Sequence, residues 1–211
     1  MNNIKLICFD LDETLIEKSS WKQLGLALGV SVEKDRELYK DYKSGILTYN
    51  EWNDKILEIY LEHEGANREN ITKVFSNYTY NKGAHEAVEY LKSKSYILVL
   101  ISGSVDIMVG IVAKDLGIKY FRANNTFVFD DNDRLQSIHS DGQDEHAKLA
   151  HLEAFCEMLG VDIKECACIA DGENDIEMFK KTEHGVTFKG SIIEKDSWRI
   201  IDSFDDLKSI F

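Results

Sequence analysis

Four short apolar runs punctuate the chain, and three of them stop at polar residues. Ile4 to Phe9 runs into Asp10, Tyr96 to Ile101 into Ser102-Gly103, and Cys166 to Ala170 into Asp171-Gly172; a weaker run covers His184 to Phe188. Apolar runs this short suit strands buried on both faces. Helical patterns separate them, at Gly83 to Lys94, Val105 to Leu116, Glu145 to Leu159 and Asp175 to Lys180. Strands alternating with helices predict βαβ units, and so an α/β fold: a doubly wound parallel sheet with helices on both faces. Ligands of such sheets bind beyond the carboxyl ends of the strands. The polar residues that end these three runs are therefore the first pointer to a site.

Two stretches break the alternation. From about Leu15 to Tyr80 the chain reads as amphipathic helices, at Trp21 to Leu28, Lys34 to Tyr42 and Tyr49 to His63, with Thr48 or Asn50 able to cap the last. Inserted after the first strand, they would sit over its end as a lid. The second stretch is Asn124 to His139, where Phe127-Val128-Phe129 and Leu135 to Ile138 flank Asp130 to Asp133, a β-hairpin pattern. The expected division is a core of residues 1–15 and 81–211 and a helical cap of 16–80.

The chain has 211 residues, 44% of them hydrophobic, and a net charge of −13. That is ample for a buried core and argues against a broad nucleic-acid or anionic-membrane footprint. The longest apolar run, Tyr96 to Ile101, is far too short to cross a bilayer, and Ile4 to Phe9 does not read as a signal peptide. Four cysteines without an export signal predict free thiols and a cytoplasmic address. Cys166 and Cys168 would share a strand face, with no further ligands at zinc spacing. There is no proline, so no X-Pro isomerisation step can slow folding.

Asp10-Leu11-Asp12-Glu13-Thr14 carries the sharpest chemistry. Carboxylates at i and i+2 in a loop can face one side, and two like charges so close call for a cation. One can attack an electrophile and the other can move a proton; the bland alternative is a solvated acidic loop. In Asp171-Gly172-Glu173-Asn174-Asp175, Gly172 permits a tight turn, Asp171 is placed for a hard cation such as Mg²⁺, and Asp175 can start the next helix, where its charge suits the dipole. Ser102-Gly103-Ser104 can hold a phosphate at a strand-to-helix junction, although a plain capping turn explains it as well. Lys148 alone would read as surface charge. All of these fall at one sheet edge, where a lysine and a divalent cation would offset the acids. Phosphoryl transfer needs little else.

These four motifs, in this order, resemble those of the haloacid dehalogenase (HAD) superfamily, and most resemble its phosphoserine phosphatase-like hydrolases. The resemblance spans nearly the whole chain and includes the insertion, the hairpin and Gly172 to Phe179. It implies a Rossmann-like core with a helical cap, acting on a small phosphorylated molecule with Mg²⁺ and with no nucleic-acid or membrane partner. It implies Asp10 as the nucleophile that becomes aspartyl phosphate. Asp12 would be the acid/base, its backbone carbonyl on the metal, and Thr14 would steady the loop. Ser102, Gly103, Lys148 and Asn174 would bind phosphate, with Lys148 also neutralising charge on Asp10. Asp10 and Asp171 would hold Mg²⁺, supported by Asp175. An aspartate at Asp12 favours a phosphatase or phosphotransferase over a dehalogenase.

Departures from that pattern are also legible. Ala170 stands where the family usually has glycine. Ser19 and Ile56 stand near the positions of a cap glutamate and arginine that hold the amino-acid part of phosphoserine, which implies a different substrate. Lys18, Ser19, Ser20 and Trp21 are the specificity candidates, because they start the lid above the nucleophile. Trp21, Tyr39, Tyr42, Tyr49, Trp52 and Tyr60 fit helix cores better than stacking roles. Asp130 to Asp133 lacks the glycine and distal glutamate of a calcium loop, and the histidines share no metal spacing. Transfer to a small-molecule acceptor, a non-catalytic phospho-ligand sensor and a receiver-like signalling domain are the alternatives to hydrolysis.

Overall fold

The computed structural model describes residues 3–211, apart from the side chains of Asp144 and Glu145. Its elements run β1 (Leu6–Phe9), α1 (Ser20–Ala27), α2 (Val32–Lys43), α3 (Tyr49–Glu62), α4 (Arg68–Phe75), α5 (Ala84–Ser93), β2 (Ile97–Val105), α6 (Asp106–Asp115), β3 (Tyr120–Phe129), β4 (Leu135–Ser140), α7 (Asp144–Leu159), β5 (Cys166–Ile169), α8 (Ile176–Thr182), β6 (Gly185–Phe188), β7 (Arg199–Ile201) and α9 (Leu207–Ile210). The strands form one sheet of order β4-β3-β2-β1-β5-β6-β7, parallel except for the β3–β4 pair. β1 is central and buried on both faces. Ile7 and Phe9 join the cluster that includes Val88, Leu91 and Val109, whereas Leu6 and Cys8 join the one that includes Leu152, Phe155 and Met178. The α/β fold is thus as the apolar runs predicted. Cys166 and Cys168 are buried on a common face, and all four cysteines are free thiols.

Three elements differ from the sequence reading. The hairpin is no excursion: β3 pairs with β2 from Val99 opposite Tyr120 onward, and β4 is the antiparallel edge of the main sheet. Between β1 and α5 there are four helices, since α4 adds buried Ile71 and Phe75. A seventh strand, β7, extends the far side. Thr48 caps α3 with a full capping box, exchanging hydrogen bonds with Glu51.

Strand register sets the level of the polar ends. Phe9 lies opposite both Leu100 and Ile169. Asp10 is therefore level with Ile101 and Ala170, one residue short of Ser102 and Asp171.

Candidate active site

Asp10 leaves β1 with its N–H bonded to the Ile169 carbonyl, 3.0 Å. The loop then turns sharply, and Glu13 adopts a left-handed φ of 59°. Leu11, Leu15 and Ile16, all 0% exposed, anchor that turn from below. Its polar residues are consequently held against the sheet edge.

Lys148 of α7 is 1% exposed and donates to Asp10 Oδ1 at 2.7 Å and to Asp175 Oδ1 at 2.8 Å. A buried ammonium survives only with such partners. Burial alone would lower its pKa, but Asp10 and Asp175 together hold it above the usual lysine value. Thr14 Oγ1 donates to Asp171 Oδ1 at 2.8 Å, tying the two acidic loops together. Asp175 begins α8, yet its side chain does not cap the helix; it goes to Lys148 instead.

Asp12 is gripped from α1. The Ser20 N–H donates to its Oδ1 at 3.0 Å and the Ser20 hydroxyl to its Oδ2 at 2.7 Å. The Ser20 hydroxyl also lies 2.5 Å from that of Ser104, making a chain Asp12–Ser20–Ser104 that joins the loop after β1 to α1 and β2. Ser20, expected as a specificity residue, is thus a partner of the acid. Of the other three candidates, Ser19 and Trp21 line a cavity between α1, α2 and α3, whereas Lys18 is exposed and not part of it.

Ser102, Gly103 and Ser104 sit within β2, in an irregularity where Ser102 pairs with Ala123 and Val105 with Asn125. This corrects the expected strand-to-helix turn. The Gly103 carbonyl accepts from Trp21 Nε1 at 3.0 Å and from Asn125 Nδ2 at 2.8 Å, and Ser102 Oγ accepts from the Ser104 N–H. Ser104 belongs to the expected phosphate motif, but its bond to Ser20 does not follow from it, and Asn125 carries no motif signal. Asn174 is half-buried over Gly172, where an added Cβ would lie 2.6 Å from its amide oxygen, so any larger residue at 172 would displace the Asn174 side chain. Ala170 is 1% exposed. Its N–H bonds the Val186 carbonyl and its own carbonyl accepts from Thr187 Oγ1, so its methyl group is absorbed by the core without disturbing the loop.

The electrostatics favour a cation. Burial pushes the Asp12 carboxyl up to about 7 against its two Ser20 bonds, with Asp10 adding to the rise. Burial and then Asp10 raise Asp171 to about 6, despite Thr14. Burial raises Asp175 to about 7 against Lys148. Asp175 Oδ2 is buried without a hydrogen-bond partner. Four carboxylates thus face one ammonium. Among the described residues no three His, Cys, Asp or Glu side chains form a ligand set unaided. Mg²⁺ does not require one, since it keeps several waters and takes one or two carboxylates. The donor set fits a hard divalent ion.

Residues 4–182 match the haloacid dehalogenase-like hydrolase family. The chain belongs to that family. It is similar to the phosphoserine phosphatase of Methanocaldococcus jannaschii, 28% identical over 98% of this chain and 95% of that protein. It is also similar to the phosphoserine phosphatase of Streptococcus thermophilus, 26% identical over 98% and 99%. A solved substrate-bound phosphoserine phosphatase complex superposes with a TM-score of 0.81 at 25% identity, covering 98% of each chain. A phospho-aspartyl intermediate analogue of phosphoserine phosphatase gives 0.80, also at 25% identity. Together these make the chain a phosphatase of the HAD superfamily with a Rossmann-like core. No helix among the described residues is long and apolar enough to cross a membrane.

Proposed function

We propose that the protein is a Mg²⁺-dependent phosphomonoester hydrolase working through an aspartyl phosphate on Asp10, with residues 16–80 as a cap over a core of 1–15 and 81–211. The observation that carries this is the buried ammonium of Lys148 joining Asp10 to Asp175, beside an Asp12 held in place by Ser20. Lys148 occupies Asp10 Oδ1 and leaves Oδ2 to attack phosphorus. The phosphorus–oxygen bond to the leaving alcohol breaks as Asp12, whose raised pKa lets it carry a proton near neutrality, protonates that oxygen. Asp12 then takes a proton from water as the water attacks the aspartyl phosphate, releasing phosphate and restoring Asp10. Ser102, the Gly103 N–H, Asn174 and Lys148 bind the phosphoryl oxygens. Asp10, Asp171 and the Asp12 carbonyl would hold Mg²⁺, with Asp175 in support; bound there, the ion offsets charge on the phosphoryl group.

The expected place of action is the cytoplasm, in keeping with four free cysteines. O-phosphoserine is the first substrate to test, because relatives bearing that name cover nearly the whole chain. Those relatives lend no support to the sequence-based expectation of a different substrate, drawn from Ser19 and Ile56. The test is a phosphomonoester panel with Mg²⁺, run on the wild type and on Asp10→Asn. Release of phosphate by the wild type only is expected; none from either, or equal rates from both, overturns the reading.

A further inference from the structure

We propose that the cavity inside the cap is the leaving-group pocket, and that it takes a phosphomonoester whose alcohol carries an apolar chain or ring. This rests on the hydrolase reading above and adds the class of substrate. The cavity is about 700 Å³, walled by Trp21, Tyr39, Tyr49, Trp52 and Ile56, and reached by Ile138 of β4. Pockets for organic ligands span roughly 300–1,000 Å³ and are lined mainly by apolar and aromatic side chains. Serine, with its few heavy atoms, would leave most of this one to water.

Three observations tie the cavity to the chemistry. Ser19, Trp21 and Lys22 line it, while Ser20, between them, holds both oxygens of Asp12. A single stretch of chain is thus a wall of the pocket and a support of the acid/base. Trp21 also bonds the Gly103 carbonyl and packs edge-on against Phe127, 6.0 Å between centroids, fixing the wall relative to the phosphate loop. The aromatic wall is built in advance: Trp52 stacks on Tyr42 at 5.2 Å with planes 8° apart, and Tyr39 and Tyr49 meet Trp52 edge-on. Preassembled rings bind flat or chain-like apolar groups without ordering cost. An amino-acid head would need an anion for its ammonium and a cation for its carboxylate inside the pocket. Its charged lining residues are few: Lys22 and Arg36 are exposed, Lys22 is already paired with Glu13 at 3.4 Å, and Asp35 is half-buried.

Ethyl, butyl, hexyl and 2-phenylethyl phosphate form a suitable series, because their alcohols have closely similar basicity. Differences in kcat/KM then report the pocket and not the leaving group. Full burial is worth about fourfold per methylene, so kcat/KM should rise about tenfold or more from ethyl to hexyl and exceed that for O-phosphoserine. Tyr39→Ala, at a half-exposed ring, and Ile56→Asn should each flatten that ratio, which is read within one sample and so is insensitive to the folded fraction. Calorimetric binding of ethyl and hexyl phosphonate reads the same pocket without turnover. A flat series, or preference for O-phosphoserine, overturns the pocket proposal and leaves the hydrolase standing. Hydrolysis of nothing, with hexyl phosphonate still bound at least tenfold more tightly than ethyl, overturns the hydrolase and keeps the pocket.

Discussion

Asp12 shows how one residue is tuned by another that has no motif of its own. Burial raises its pKa, and the two Ser20 bonds hold the rise in check. Ser20→Ala removes the hydroxyl bond to Asp12 and strands Ser104. It should cost about 1.5–3 kcal/mol of stability, the worth of a hydrogen bond to a charged group, read by urea unfolding. It should also move the acid/base limb of the pH–rate profile upward; an unmoved limb would show that Ser20 only holds the cap in place. Asp10→Asn should lower kcat by about 10⁴-fold or more, the scale seen when a nucleophile is lost. Asp10, Asp12, Asp171 and Lys148 were legible because each directly follows an apolar run or belongs to an ordered motif. The sequence points Ser20 and Ser104 to other roles, and Asn125 to none, because their contacts join α1 to β2 or one strand to the next.

Elements explain which parts of the fold could be read. β1, β2 and β5 are buried on both faces and write themselves as unbroken apolar runs. The first half of β3 carries exposed Phe121 and Arg122, and β7 has only three residues, so neither has the signature of a buried strand. α4 places buried Ile71 and Phe75 at i and i+4 but spans only eight residues, short of the length at which a helical period is read with certainty. Trp21 on α1 is where the cap meets the phosphate loop. Trp21→Phe deletes one hydrogen bond to Gly103 while keeping the ring on Phe127. Inhibition by inorganic phosphate should weaken about 3- to 10-fold; an unchanged inhibition constant would mean that the Gly103 loop is held without the cap.

At the scale of the molecule, the site is an acidic cluster whose ionised form opposes folding, a cost that a bound cation would offset. Asp12, Asp171 and Asp175 titrate at about 7, 6 and 7 against an ordinary 3.8. The folded chain therefore holds these protons more tightly than the unfolded chain from roughly pH 4 to 7, and their contribution to stability is lost as pH rises through that window. Mg²⁺ held there as proposed would compete for the same oxygens, so its stabilising effect should grow as the protons leave. At about 100 times its Kd, Mg²⁺ should raise Tm by about 5–10 °C at pH 8 over a sample in chelator, and far less at pH 4.5. Comparing the two at each pH cancels carboxyls elsewhere on the surface. Equal shifts at both pH values would contradict binding among these acids.

Trapping the phosphorylated enzyme tests the central claim most directly. With a phosphate ester whose leaving group needs no protonation, such as 4-nitrophenyl phosphate, Asp12→Asn should still transfer the phosphoryl group to Asp10 but activate water poorly. Acid quench and peptide mass spectrometry should then find a single phosphoryl group on the Leu6 to Lys18 segment, at Asp10. Phosphate on any other residue, or burst-free release from wild type and Asp12→Asn with Asp10 unmodified, would contradict the account.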